Sequence, residues 1–142
     1  GITLSEIQFK TASERAQKEG LSDKVTFALQ DYRNETEKYD RIVSVGMFEH
    51  VGVKYFKTYL SNANDILKDN GVFLLHTIGK RGKPTATSPW IRKYIFPGGY
   101  IPSLSEIMRE TQKLNINVTV TILDSRACLC IKMFLPLLLT GP

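Results

Sequence analysis

Asp40-Arg41-Ile42-Val43-Ser44-Val45-Gly46-Met47-Phe48-Glu49-His50-Val51-Gly52 is the stretch from which the fold of this chain is decided. Ile42-Val43-Ser44-Val45 is rich in β-branched residues and predicts a short buried strand. It runs into Gly46 and then into an adjacent carboxylate and imidazole, Glu49 and His50. Open α/β sheets place ligands just past the carboxyl ends of their parallel strands. The question is whether Glu49 and His50 are chemistry or the punctuation of a turn.

The neighbouring segments supply the alternation that such a sheet needs. Residues 54–68 carry Phe56, Tyr59, Leu60, Ala63, Ile66 and Leu67 on one helical face, and Asn70-Gly71 ends the pattern. Val72-Phe73-Leu74-Leu75 is continuously apolar, as expected of a strand covered on both faces, and it leads into His76-Thr77-Ile78-Gly79. Upstream, Gly1-Ile2-Thr3-Leu4 has the look of the carboxyl end of a strand. Ser5 and Gln8 form a capping-box signature for a helix bearing Leu4, Ile7, Thr11, Ala12 and Ala16, with Gly20 as its stop. Val25, Phe27 and Leu29 alternate as a strand, and Gln30-Asp31-Tyr32-Arg33 follows as a loop. Strands and helices at this spacing predict an α/β fold with βαβ units and a parallel sheet. Right-handed crossovers then bring Thr3, Asp31, Tyr32, Gly46, Glu49, His50 and His76 to one rim.

Residues 80–102 interrupt the alternation. A loop from Lys80 to Ser88 precedes the aromatic and basic run Pro89-Trp90-Ile91-Arg92-Lys93-Tyr94-Ile95-Phe96, and Pro97-Gly98-Gly99-Tyr100-Ile101-Pro102 forces turns. An insertion of this length is expected to be a lid or binding element, or else a small satellite core. Its mixture also suits a membrane-facing amphiphile. Ser103 and Glu106 form a second capping box, for a helix with Leu104, Ile107, Met108, Thr111 and Leu114 as its apolar set. Val118, Val120 and Ile122 alternate as a strand, and beyond Asp124 neither period nor turn logic is clean. The division expected is a domain over residues 1–123 and a tail over 124–142.

Composition narrows the function classes without choosing one. The 142 residues are 42% hydrophobic and 23% charged, ordinary for a globular domain. The net charge of +5 favours anionic partners. Lys80, Arg81, Lys83, Arg92 and Lys93 fall in one segment without an acid, either a solvated loop or a binding patch. Cys128 and Cys130 lack the spacing of common zinc motifs, no metal site is expected, and free thiols suit a reducing cytosol. The apolar run 131–139 is interrupted by Lys132 and Pro136 and falls short of the ~20 residues of a spanning helix.

Each rim residue has a plain reading beside the functional one. Gln8 either completes its cap or bonds a ribose hydroxyl. Asp31 is either a turn residue or an acceptor for an exocyclic adenine amine, with Tyr32 against the ring. Glu49 either meets the dipole of the following helix or works with His76, which ends a strand that is otherwise apolar, to orient a small anion or place a proton acceptor. His50 is either a core histidine or a partner of Glu49. No nucleophile elbow and no glycine-rich phosphate loop are present.

Taken together, the chain resembles the S-adenosylmethionine-dependent cyclopropane-fatty-acyl-phospholipid synthases, a branch of the class I methyltransferases. The matching stretches are Gly1-Ile2-Thr3-Leu4-Ser5 with Gln8, Gln30-Asp31-Tyr32-Arg33, Tyr39 through Gly52, Leu74 through Gly79, and Pro89-Trp90-Ile91 with Lys93 through Gly99. The resemblance implies an incomplete Rossmann-like class I sheet with helices on both faces and the insertion at about 80–102. It implies attack of a cis double bond of a phospholipid acyl chain on the sulfonium methyl, then proton loss to a bound bicarbonate and ring closure. Glu49, His76 and the backbone of Ile78 would hold the bicarbonate. Thr3, Leu4 and Gln8 would line the ribose side of S-adenosylmethionine, Asp31 and Tyr32 would lie near the adenine, and Gly46 would join the cofactor rim. Trp90, Tyr94 and Phe96 would wall the acyl-chain cavity.

The partner so implied is unsaturated phospholipid at an anionic membrane surface, met peripherally from the cytoplasm, with no nucleic acid. The same fold also serves methylation of other acyl chains or of amines, and a non-catalytic isoform is the reading of a different class. The family's glycine-rich cofactor loop lies upstream of Gly1, and the tail from Asp124 to Cys130 lacks the family's Tyr. A class I sheet without its first strand has a gap of two strand spacings, ~9.5 Å, so the chain alone is expected to fold poorly or bind cofactor weakly.

Overall fold

The computed structural model describes residues 1–114, 119–125 and 128–136, with side-chain surroundings described through residue 114. The chain divides into two compact units, residues 1–37 and 38–142. Among the described residues, the strands form two sheets, one of two strands and one of four.

In the first unit, β1 (Ile2–Thr3) pairs in parallel with β2 (Ala28–Leu29), Ile2 opposite Ala28 and Thr3 opposite Leu29. Helix α1 (Glu6–Lys18) connects them. The expected strand over 24–29 shrinks to two residues because its ladder partner is only Gly1 to Thr3: Ala28 N donates to Gly1 O and Gln30 N to Thr3 O. Ser5 Oγ accepts from Gln8 N at 3.3 Å, so the cap forms. The reciprocal half of the box does not: Ser5 N donates to Thr3 Oγ1 at 3.1 Å, and the Gln8 Oε1 accepts from Thr3 at 2.8 Å. Ala16 is the one buried residue of this unit, while Leu4 and Ile7 are 71% and 79% exposed. A single pair of two-residue strands is too narrow to cover the apolar stripe that the helix presents.

The second unit carries a mixed sheet in the order β3-β4-β6-β5. Strand β3 (Tyr39–Val45) pairs in parallel with β4 (Leu67–Gly79), which pairs antiparallel with β6 (Cys128–Pro136), itself antiparallel to β5 (Thr119–Ser125). The wholly parallel sheet expected from the sequence is thus parallel only at β3-β4. The tail set off at 124–142 contributes β6 and the end of β5 to this sheet. As an inner strand, β6 has the near-continuous apolar composition that hides a period of two. Val118, Arg126, Ala127 and residues 137–142 lie outside the described residues, as do the thiols of Cys128 and Cys130.

The crossover from β3 to β4 runs through α2 (Phe48–Val51), a 3₁₀ turn at Val53–Tyr55 and α3 (Phe56–Asp65). The helix expected over 54–68 ends earlier because β4 begins at Leu67, opposite Tyr39. The next register pair is Arg41 with Val72, so residues 68–71 are looped out of the ladder. Asn70 takes φ 62°, and a Cβ on Gly71 would sit 2.6 Å from Leu67 Cγ.

Phe48, Phe56, Tyr59, Leu60, Phe73, Leu75 and Ile107 form the core, with Phe48 stacked on Phe56 at 4.3 Å between centroids. Burying each such side chain contributes roughly 1.5–3 kcal/mol. Alternation along β4 puts Phe73, Leu75 and Thr77 on this covered face and Leu74, His76 and Ile78 on the other. Val43 and Val45, expected to be buried, are 65% and 64% exposed. They share the second face with Leu74 and His76, their register partners, and β3 is an edge of its sheet.

The segment 80–103 leaves β4 and returns to it. Lys80 N donates to Pro102 O and Leu104 N to Lys80 O, closing the loop at its base. Helix α4 (Leu104–Lys113) then starts with the full capping box: Glu106 N donates to Ser103 Oγ, and Ser103 N to Glu106 Oε2 at 2.8 Å. Ser103 is fully buried, whereas Ser5 is half-buried on a bare helix. Ser103→Ala is therefore expected to cost about 1–2 kcal/mol and Ser5→Ala a few tenths, in denaturant melts of the two variants.

Candidate functional site

The centre of the second unit's rim is a buried carboxylate. Strand β3 ends at Val45, and Gly46 turns the chain with φ 67° while its N–H donates to His76 O at 3.1 Å. This hands the chain to α2 directly beside the end of β4. Glu49, in the first turn of α2, is 1% exposed. Its Oε1 accepts from Ile78 N at 2.7 Å, and its Oε2 is buried without a hydrogen-bond partner. Burying a carboxylate costs several kcal/mol unless it is well bonded, and a single donor does not satisfy it. An oxygen left in this state fits a ligand that brings its own proton.

A further contact fixes the backbone of Glu49. Its carbonyl accepts from Tyr100 N at 2.8 Å. Gly99 makes that approach possible: a Cβ there would lie 2.7 Å from Phe96 Cβ and 3.2 Å from Glu49 O. Tyr100 is held in turn, its hydroxyl donating to Glu106 Oε1 at 2.8 Å and lying 3.0 Å from Oε2. The insertion thus braces α2 against the amino end of α4. Sequence reasoning placed Tyr100 only in a turn and Glu106 only in a capping box, and missed the bond between them. The signal was present in Gly99-Tyr100, a glycine followed by an aromatic in a turn three residues before a capping Ser.

The expected residues fall into separate groups. Glu49, Gly46, His76 and Ile78 meet at the carboxyl ends of β3 and β4. Glu49 and His76 are not hydrogen-bonded to each other, since Oε1 is taken by Ile78 and Oε2 has no partner. The Ile78 amide serves Glu49 rather than facing an anion directly. His50 is exposed, with its ring edge-on to Phe96 at 5.7 Å.

Thr3, Leu4, Gln8, Asp31 and Tyr32 cluster in the first unit, where Thr3 ends β1 and Asp31 follows β2. Asp31 accepts from Arg33 N at 2.9 Å and from the guanidinium at 2.6 Å. Those bonds, the side-chain one foremost, hold its carboxyl down at about 2. Partial burial pushes the neighbouring Tyr32 phenol up. Trp90 and Tyr94 are 60% and 61% exposed and Phe96 is half-buried, so the three do not enclose a cavity in this structure.

A sheet edge ordered β3-β4-β6-β5, with only β6 reversed against β4, is the carboxyl-terminal half of a class I methyltransferase sheet. The chain belongs to the mycolic acid cyclopropane synthetase family, whose profile matches residues 1–125. It is 50% identical over 112 residues to the cyclopropane-fatty-acyl-phospholipid synthase of Escherichia coli K12, covering 79% of this chain and 28% of that relative. The chain therefore spans little more than a quarter of that protein's length. The solved mycolic acid cyclopropane synthase CmaA1, complexed with SAH and CTAB, superposes with a TM-score of 0.71 at 30% identity, over 86% of this chain and 48% of that one. Geranyl diphosphate C-methyltransferase from Streptomyces coelicolor A3(2) shares the fold at a TM-score of 0.79, with 14% identity over 97% of this chain and 64% of that one. Among the described residues, no helix is long and apolar enough to cross a membrane and no cluster could hold a metal ion.

The brace on α2 has a pH signature. Burial, then the hydrogen bond to Glu106, pushes the Tyr100 phenol up to about 12 from an ordinary 10.0. A raised acid contributes stability that is complete below its unfolded value and lost as pH climbs through the folded one. Stability is therefore expected to fall between roughly pH 10 and 12, and Tyr100→Phe to flatten that fall and remove a raised tyrosine step from an ultraviolet titration.

Proposed function

We propose that this chain carries the proton-acceptor half of a cyclopropane-fatty-acyl-phospholipid synthase. The reaction is transfer of a methylene group from S-adenosylmethionine to the cis double bond of an unsaturated phospholipid acyl chain. The observation that carries the reading is the buried Glu49 carboxylate, bonded through Oε1 and unpartnered at Oε2, at the carboxyl rim of β3 and β4. Family membership and the half-identical synthase of Escherichia coli support it.

S-adenosylmethionine supplies an electrophilic methyl when bound. Thr3 and Gln8, joined side chain to side chain at the end of β1, are the ribose-side residues, with Leu4 beside them. Asp31 accepts the adenine amine by sharing an oxygen with Arg33, and Tyr32 faces the ring. Gly46 leaves the end of β3 open, with nothing within 4 Å of where a Cβ would stand.

Bicarbonate fits the donor set at Glu49. Oε2 accepts the hydroxyl of bicarbonate, an interaction that neutral water makes less strongly and chloride not at all. Ile78 aims the carboxylate through its amide, and His76 adds a donor from the opposite face of β4. Held in this way, the anion takes the proton released when the acyl carbocation closes its ring. Trp90, Tyr94 and Phe96 offer the apolar and aromatic surface along which an acyl chain excludes water. The site works from the cytoplasmic side, peripheral to the membrane that holds its substrate.

A chimera tests the reading directly. The matching 112 residues of the Escherichia coli synthase are replaced by those of this chain, and the acyl chains of a synthase-deficient host are weighed by mass spectrometry. The chimera is expected to add one methylene per modified chain. Glu49→Gln is expected to lower that rate about 100-fold or more while leaving S-adenosylhomocysteine affinity within about twofold. Unchanged methylene transfer in the Gln variant removes Glu49 from the mechanism.

A further inference from the structure

The second unit has a pocket of about 430 Å³ lined by Gly52 to Tyr55 on one side and by Ala86, Thr87, Arg92 and Gly98 to Tyr100 on the other. It differs from the Glu49 site in charge. Among the described residues, two cations, Lys54 and Arg92, line it, and no acid does. Elsewhere Lys10, Arg15, Arg33, Lys68 and Lys113 are each paired with a carboxylate. Lys54 and Arg92 have no ion-pair or hydrogen-bond partner for their side chains among the described residues.

The rest of the lining suits an anion with several oxygens. Thr87 is buried and accepts from Ile101 N at 2.9 Å, which leaves its hydroxyl proton to donate into the pocket. Tyr55 adds a phenol at the mouth. Gly52 and Gly98 hold φ of 79° and 71° and meet nothing within 4 Å where a Cβ would be, so no side chain narrows the space. The volume lies in the range of small-molecule sites.

The surroundings say which anion. Lys80, Arg81, Lys83, Arg92 and Lys93 lie in an acid-free segment whose five charges equal the net +5 of the whole chain, so the remainder is balanced. Trp90, Tyr94 and Ile95, on either side of Arg92, are large apolar side chains left exposed, with the Trp90 and Tyr94 rings 6.1 Å apart and Lys93 over Tyr94 at 5.1 Å. Aromatic rings interleaved with Lys and Arg sit at the headgroup level of a bilayer, rings inward and cations toward phosphate. The pocket also adjoins the proposed chemistry, since Tyr100, one of its walls, bonds the Glu49 carbonyl.

We propose that Lys54 and Arg92 form a subsite for the phosphodiester of a phospholipid headgroup, with Thr87 as a third donor and with Trp90, Tyr94 and Ile95 as the interfacial anchors beside it. This deepens the proposed function and rests on it for the identity of the lipid. Vesicle binding involves no methylene transfer, so it is measured independently of Glu49.

The test is co-sedimentation of the 142-residue chain with phosphatidylglycerol vesicles at one ionic strength. Juxtamembrane cations contribute about 1 kcal/mol each, so Lys54→Ala with Arg92→Ala is expected to weaken phosphatidylglycerol binding more than tenfold. The control pair Lys18→Ala with Lys57→Ala, exposed and outside the pocket, is expected to change it less than twofold. The charge-keeping pair Lys54→Arg with Arg92→Lys is expected to restore binding to within about threefold, which separates lost contacts from lost folding. Equal losses in the pocket and control pairs overturn the subsite. So does displacement of the wild-type chain from vesicles by millimolar inorganic phosphate, which would mark a free-phosphate site.

Discussion

The bond from the Ile78 amide to Glu49 Oε1 is the constraint on which the rest of the second unit depends. It ties the first turn of α2 to the end of β4 and forces a carboxylate into a place with almost no exposure. A four-residue helix cannot hold such a position alone, because most of its backbone groups are terminal. It is held by the sheet below, through Gly46 and Ile78, and by the insertion above, through Tyr100. The cost of the buried charge is carried by that three-sided frame. The reward is an acceptor oxygen preorganised before any ligand arrives.

The insertion is often the variable part of an α/β domain, yet here it has a structural duty. The π-helical turn Ile91–Ile95, closed by Phe96 N on Ile91 O, ends in Pro97-Gly98-Gly99. Gly98 turns the chain with φ 71°, and Gly99 lets it pass close to α2 before it enters the capping box at Ser103. Glu106 serves both sides of the arrangement, closing the helix cap and receiving the Tyr100 hydroxyl. Its carboxyl is held below the ordinary range although burial, the largest influence, acts the other way, because the Ser103 and Tyr100 hydrogen bonds together outweigh it. One face of the segment therefore fixes Glu49, while Trp90 and Tyr94 remain exposed.

How much was legible in the sequence follows from how local each signal is. The capping box at Ser103, the strand at 40–45 and the apolar run at 72–75 depend on a few adjacent residues, and each formed close to where it was expected. Glu49 and His76 were brought to one rim by topology alone, yet the hydrogen bond between Glu49 and Ile78 needs the register of β4 against α2, which no periodicity encodes. The half-formed box at Ser5 failed because Thr3, five residues from Gln8, competes for its amide oxygen. Burial was misjudged for Ile7, Val43 and Val45 for a shared reason. An apolar pattern states which face needs a cover, and it does not supply the covering element. The tail was opaque because the sequence of β6 is nearly continuously apolar and shows no alternation.

The central claim is that Glu49 presents a prepared acceptor oxygen to a proton-bearing anion at the rim of β3 and β4. The most direct measurement is the rate of methylene transfer by the chimeric synthase as bicarbonate is varied in carbonate-free buffer, for Glu49 and for Glu49→Asp. The account expects saturable dependence on bicarbonate, with the half-saturating concentration raised about tenfold or more in the Asp variant, whose shorter side chain withdraws the acceptor oxygen. The same bicarbonate dependence in both proteins would contradict it.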